Sequence, residues 1–193
     1  MKKKFVIASI AVAASMPASA MVKEYSFGVG VSETKGKIKT GSFSGYEPTL
    51  NLGLTFNNNI MMGVGVTATT SSDLYQSKDI DAGHGNTTSS IKEELKLNNA
   101  VNFRLGYQFE NDTLNITPYA GVNGFSYKYN YAHNIDNEYK AIKDKAYVPF
   151  IGVDLSLSNY PALSFGVRVS DKETITEGVE LKRTTMLTIA ANI

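Results

Sequence analysis

The sequence predicts an all-β fold: an eight-stranded antiparallel up-and-down transmembrane β-barrel with short periplasmic turns and longer extracellular loops. Three observations predict it. Apolar residues alternate with polar residues or glycine at a period of two in segment after segment. Short and long connections follow one another in strict turn. No segment beyond the N-terminus approaches the ~18 consecutive apolar residues of a membrane helix, so membrane residence can come only from strands.

The N-terminus is expected to be a removable export signal. Lys2, Lys3 and Lys4 precede an apolar stretch from Phe5 to Ala14, and Pro17 precedes the small-residue site Ala18-Ser19-Ala20. Residues 1–20 are therefore assigned to a signal peptide and 21–193 to one barrel domain, undivided by any Pro, Gly or Ser linker. The whole chain carries +1, and loss of three lysines with the signal leaves about −2. That balance implies neither a nucleic-acid partner nor a strongly basic surface. The chain has no cysteine, which excludes a disulfide framework and thiolate metal sites and leaves backbone pairing and packing as the source of stability.

Strand one is read from Lys23 to Ser32, with Tyr25, Phe27, Val29 and Val31 on its apolar face. Strand two runs from about Tyr46 to Phe56, and Asn57-Asn58-Asn59 turns the chain into strand three, Ile60 to Thr67. After a long polar segment from Thr70 to about Glu94, strand four is expected to place Leu95, Leu97, Val101, Phe103, Leu105, Tyr107 and Phe109 on one face, with Lys96, Asn102 and Arg104 on the other. Strand five alternates Leu114, Ile116, Pro118, Ala120 and Val122 with Asn115, Thr117, Tyr119, Gly121 and Asn123. A tyrosine-rich loop then extends to about Lys145. Strand six spans Tyr147 to Leu157, the short strand seven Leu163 to Val169, and strand eight Val179 to Ile193.

Short turns after strands two, four and six fall at the end that holds both termini, assigned to the periplasm, and the long loops face outside. The polar face is rich in glycine, which weakens a water-exposed strand but makes room for large neighbours inside a narrow barrel. Charges of both signs share that face: Glu24, Glu47, Asp154 and Glu180 with Lys96, Arg104, Arg168 and Lys182. Enclosed charges must be paired, which predicts an interior polar network centred on Glu47, Lys96, Arg104, Asp154 and Arg168. Arg183 falls on the lipid face by strict alternation, so it is expected either near the outer rim or turned aside by a bulge.

The even set of alternating strands, the short and long connections in turn, and the pattern Pro118-Tyr119-x-Gly121-x-Asn123-Gly124 resemble the small outer-membrane β-barrel proteins of the OmpA/OmpX type and their opacity-protein relatives. The resemblance covers residues 21–193 and is architectural. It implies the fold and a bacterial outer-membrane location, and it leaves activity open. Members of that group usually end in Phe or Trp; here the last residue is Ile193 and there is no Trp, so interface anchoring falls to Tyr and Phe.

The sequence offers little chemistry. His84 and His133 are far apart, Asp79-x-Asp81-x-Gly83 lacks the later Glu of a calcium loop, and Ser126 near His133 and Asp136 has no recognised spacing for a nucleophile and base. No catalytic, cofactor or metal residue is assigned. The expected function is non-enzymatic display of extracellular loops, in surface adhesion, colonisation, host interaction or envelope integrity. The contact candidates are Lys35, Lys37 and Lys39 in the first loop and Tyr129, Tyr131 and Tyr139 in the third. Outer-membrane lipid, lipopolysaccharide and an extracellular ligand are the expected partners of a monomer. A narrow porin-like channel, a lipid A-modifying enzyme and a soluble periplasmic ligand-binding barrel are the alternatives.

Overall fold

The computed structural model describes residues 21–68, 74–81, 88–133 and 138–193. Among the described residues there are twelve strands: β1 (Val22–Ile38), β2 (Gly41–Phe56), β3 (Ile60–Thr67), β4 (Leu74–Asp81), β5 (Thr88–Leu97), β6 (Ala100–Tyr107), β7 (Leu114–His133), β8 (Glu138–Leu157), β9 (Tyr160–Ser170), β10 (Glu173–Thr176), β11 (Val179–Leu181) and β12 (Thr184–Asn192). Eight of them, in the order β1-β2-β3-β6-β7-β8-β9-β12, close into an antiparallel ring through the β1–β2 and β1–β12 ladders. Closure removes the unpaired edges that an open sheet would leave in hydrocarbon. Near the chain ends Tyr25 and Ile193 exchange backbone hydrogen bonds of 2.9 and 2.8 Å. At that same end Asn59 takes a left-handed φ of 64°, a conformation that asparagine tolerates and that lets three residues reverse the chain between β2 and β3.

Outward-facing residues in the middle of the ring are apolar and exposed, among them Phe27, Val29, Leu52, Val64, Ile151 and Phe165. Exposed aromatic residues border this belt: Tyr25, Tyr107, Phe109 and Tyr160 at the end with the chain termini, Tyr46 and Tyr147 at the other. From Tyr147 to Leu157 along β8 is about 33 Å of strand, which at the usual ~40° tilt covers about 25 Å of bilayer thickness.

Above Tyr46 and Tyr147 the structure differs from the sequence reading. The expected first and third loops are continuations of the barrel ladders. β1 and β2 stay paired out to Ile38 opposite Gly41, and β7 and β8 out to His133 opposite Glu138. Their alternation never changes phase; what changes is the chemistry of the two faces. In β1 the inward positions run Ser26, Gly28, Gly30 and Ser32 and then reach buried Ile38, while the outward ones run Tyr25, Phe27, Val29 and Val31 and then exposed Lys35 and Lys37. Tracking the apolar face as the outer one therefore ends each strand too early.

Two more departures come from breaks in the chain. The expected strand four is two strands, β5 and β6, separated at Asn98–Asn99, so Leu95 and Leu97 face inward and are buried while Val101 faces out. Sequence parity cannot follow the rotation introduced at such a break. The expected strand eight is likewise split at Lys182–Arg183, and Arg183 sits exposed with its guanidinium 3.5 Å from Asp171. As a result β5 takes over from β6 beside β7, and β11 takes over from β12 beside β1. The hairpins β4–β5 and β10–β11 thus continue the wall and build a β-structured head on the barrel.

Because Lys35 and Lys37 lie within a full ladder, limited trypsin digestion of the folded protein is expected to leave the bonds after them intact under conditions that cleave a heat-denatured sample. Rapid cleavage at both positions in the folded protein would show that this segment is a loop.

Candidate functional site

Inside the belt the barrel is filled by a stack of large side chains. Arg104, 6% exposed, donates from Nη1 to Asp154 Oδ2 at 2.8 Å. Its guanidinium lies 5.0 Å from the Tyr119 ring centroid, and Tyr119 meets Phe150 edge-on at 6.3 Å between ring centroids. The Arg168 guanidinium covers the other ring, 4.3 Å from the Phe150 centroid. The ladder explains how so narrow a ring holds these groups. Arg104 lies between Gly63 and Gly121, and Tyr119 between Gly106 and Gly152, so every large side chain extends over a neighbour with none. A Cβ on Gly63 would collide with the Arg104 side chain.

Small cavities lie on either side of this stack. One, of about 30 Å³, is lined by Glu24, Arg104, Gln108 and Asp154. The other, of about 50 Å³, is lined by Glu47, Asn123, Arg168, Lys182 and Thr184. Neither volume makes a channel, and each is of a size that admits a few waters. Of the five residues expected in the interior network, Arg104, Asp154, Arg168 and Glu47 face this interior, with Glu47 accepting a hydrogen bond from Thr34. Lys96 does not. It lies exposed on the outer face of β5, because the Asn98–Asn99 break sets β5 and β6 in opposite phase. Glu180 is also outside, 2.7 Å from Lys172.

The head is closed by a second core. Ile38, Phe43, Leu95, Tyr129, Val148 and Val179 belong to one buried cluster drawn from β1, β2, β5, β7, β8 and β11. Glu93, 0% exposed, crosses this core to the tip of the β1–β2 hairpin. There its carboxylate accepts the backbone N–H groups of Lys39, at 3.1 Å, and Thr40, and also the Tyr129 hydroxyl. Tyr127 donates to the Ile175 carbonyl at 3.0 Å, Lys39 Nζ sits 4.3 Å from the Tyr131 ring centroid, and Lys140 pairs with Glu177 at 2.7 Å. Gly178, at φ 80°, turns the β10–β11 hairpin against Lys39, where a Cβ would strike the lysine stem.

Burial and the hydrogen bond to Glu93 push the Tyr129 phenol far above its usual range, and burial raises that of Tyr127. Lys140 holds the Glu177 carboxyl below its usual range.

This architecture reassigns the loop candidates. Tyr129 and Tyr131 are 1% and 6% exposed and belong to the core of the head, whereas Tyr139 is 72% exposed and remains on the surface. Lys35 pairs with Glu33 at 2.8 Å, Lys37 lies opposite Glu180 in the ladder, and Lys39 covers Tyr131. A different basic group emerges from the register. Lys96, Lys128 and Lys143 are direct neighbours across β5, β7 and β8, and exposed Lys145 lies one outward position nearer the belt. The signal for it was the run from Phe125 to Tyr131, in which the tyrosines occupy one parity and Lys128 the other. His84 and Asp136 lie outside the described residues, and the Ser126 hydroxyl accepts from Asn98 Nδ2 at 2.8 Å.

No family model matches the sequence, and no curated protein matches it either. Solved structures do match. The chain is similar to Ail, the attachment invasion locus protein of Yersinia pestis, in a complex with the heparin analogue sucrose octasulfate, at 13% identity and a TM-score of 0.52, covering 90% of this chain and 100% of that one. Neisserial surface protein A also matches, at 12% identity and a TM-score of 0.47 over 86% and 96% of the two chains. So does the outer-membrane protease OmpT from Escherichia coli, at 8% identity and a TM-score of 0.47 over 91% and 98%. At such identities the likeness is one of fold. The closed eight-strand ring, its exposed apolar belt and its aromatic borders define a small outer-membrane β-barrel, located in a bacterial outer membrane.

Replacing Arg104 by Met leaves Asp154 as a buried unpaired charge, at an expected cost of about 3–5 kcal/mol. The urea midpoint of the heat-shifting species on gels should fall accordingly, and Arg104→Met/Asp154→Leu should recover most of the loss. A double variant as unstable as the single one would contradict the pairing.

Glu93→Ala removes the acceptor for two backbone donors and a hydroxyl, at about 1–3 kcal/mol for each donor left unpaired. Proteolysis at the β1–β2 tip should then rise while the heat shift of the membrane barrel persists. Because the folded-state pKa of Tyr129 is raised, its contribution is complete below the unfolded value of about 10 and declines as pH rises beyond it. Amide exchange at Lys39 and Thr40, corrected for intrinsic rate, should therefore stay flat to about pH 10 and accelerate above it; loss of protection near pH 7 would contradict the assignment.

Proposed function

We propose that this protein is a non-enzymatic, non-conducting outer-membrane barrel whose head is a rigid contact surface, serving adhesion, colonisation, host interaction or envelope integrity. The observation that carries the reading is closure at two levels: the Arg104–Tyr119–Phe150–Arg168 stack fills the barrel, and the Glu93-anchored core fills the head. With side chains filling the interior at both levels among the described residues, what the protein offers its surroundings is its outer surface. Export behind residues 1–20, contact with lipopolysaccharide, contact of the head with an external ligand and action as a monomer all belong to this proposal. The Ail structure was solved with a polysulfated sugar, which supports testing acidic glycans among external ligands.

Planar-bilayer recording separates this reading from a narrow channel: no discrete openings are expected, and stable ion-conducting steps would overturn closure. Expression in a bacterial host is then expected to change attachment to surfaces or resistance to detergent. A protein folded in the outer membrane that alters neither would contradict a contact or envelope role.

A further inference from the structure

The wall of the head is weakly held at the Lys182–Arg183 break. The β10–β11 hairpin sits there between two pairs of residues that belong to no strand, Asp171–Lys172 and Lys182–Arg183. Its attachment to the ring is short. β11 meets β1 at two rungs, Gly36 opposite Leu181 and Lys37 opposite Glu180, with one further backbone bond of 2.8 Å from Lys182 to the Lys35 carbonyl. β10 pairs with β11 and with no other strand among the described residues. β1 and β2, by contrast, remain paired from Val22 to Ile38.

Beneath the hairpin lies the interior cavity on the Arg168 side of the stack. Leu181 and Lys182 form part of its wall together with Arg168, Ser170 and Thr184, and among the described residues that line it Lys182 alone is exposed. The Arg104–Tyr119–Phe150–Arg168 stack closes the cavity below, and the head core closes it above. Asn123, which also lines it, keeps a buried Oδ1 with no hydrogen-bond partner in the protein. Such an atom suits the space to small polar molecules, water first among them.

We propose that the β10–β11 hairpin is a hinged lid on this cavity, latched at its tip by Glu177 between Lys140 of β8 and Lys39 of the β1–β2 tip, and that its opening admits small polar solutes from outside. Lys140 donates to Glu177 Oε2 at 2.7 Å, and Lys39, whose stem packs against Gly178, adds to the attraction. The two other ion pairs of this region, Lys172 with Glu180 and Arg183 with Asp171, join the hairpin to its own hinges or one hinge to the other. Of the three, only Lys140–Glu177 crosses to another part of the wall, so the hairpin can swing as a unit once that pair parts. Closed is the dominant state, because Val179 and Leu181 are seated in the head core and Tyr127 donates to the Ile175 carbonyl at 3.0 Å. The rest of the head, held by long ladders, stays fixed. Since the stack seals the far side, opening gives access to the cavity without conduction.

The test is a reporter thiol inside the cavity. The chain has no cysteine, and Ser32, buried on the β1 side, lines the cavity. Alkylation of the folded Ser32→Cys variant by iodoacetamide, a small neutral reagent, is followed by peptide mass spectrometry, and the heat shift on gels reports folding. The thiol should react about tenfold or more slowly than that of Tyr139→Cys, at an exposed position. Added Glu177→Gln should speed the reaction about two- to fivefold, the range of an exposed ion pair. Gly178→Val, strained at a left-handed φ of 80° and in collision with Lys39, should speed it about tenfold or more. A Lys37→Cys/Glu180→Cys disulfide across directly opposed residues should stop the reaction until it is reduced. An unchanged rate in Glu177→Gln would overturn the latch. A thiol as reactive as the exposed one, no acceleration in folded Gly178→Val, or equal rates with the disulfide formed and reduced would overturn the lid.

Discussion

Ring closure is the constraint on which the rest of the structure depends. Once β1 pairs with both β2 and β12, every strand is locked in register, and a one-residue slip would exchange all its inward and outward side chains. A strand that runs through the bilayer and on into water therefore cannot rotate to suit its new solvent. Composition has to change instead. Below Tyr147 lipid demands an apolar exterior and the narrow lumen holds glycine and polar groups, with the Arg104–Asp154 pair among them. Above it water demands a polar exterior, and the inward face is free to bury Ile38, Phe43, Leu95 and Tyr129. The head is thus a soluble core erected on the same ladders as the membrane barrel.

Within the ring the same constraint sets side-chain size. Fixed cross-strand neighbours let large and small residues be matched individually, as with Arg104 between Gly63 and Gly121. The salt bridge to Asp154 is useful here as a filler that satisfies its own charge; a buried ion pair adds little net stability over an apolar pair of the same volume. Glu93 in the head is a comparable case. It is costly to bury and is retained with three donors around it, and its effect is to hold one hairpin tip against another strand pair.

The barrel was legible in the sequence because period-two alternation with an apolar outer face is a strong signal when repeated around a ring. The turns were legible for a different reason: asparagine-rich and proline-containing links have local chemistry, as Asn59 shows. The head was not, since its inverted faces look like the end of a strand, and its tyrosines read as loop residues until their partners are known. Lys96 shows the sharpest limit. Its parity matches Arg104, yet two residues outside any strand at Asn98–Asn99 separate their faces, and only pairing with Lys128 reveals where it points. Opposite charges on an inward parity were enough to propose Arg104 and Asp154 as interior groups; the choice of which acid meets which base needed the ladder.

The central claim is that one unbroken alternation runs from membrane to head while its two faces exchange chemistry. The absence of native cysteine makes a single-cysteine scan along β8 direct. Spin labels placed singly from Tyr139 to Leu157 would be tested for access to oxygen, which partitions into lipid, and to a water-soluble nickel chelate. Odd positions should be the accessible ones throughout, to oxygen from Tyr147 onward and to the chelate before it, and even positions should remain shielded, apart from exposed Asp144. Loss of the period before Tyr147, or its reversal there, would contradict the account.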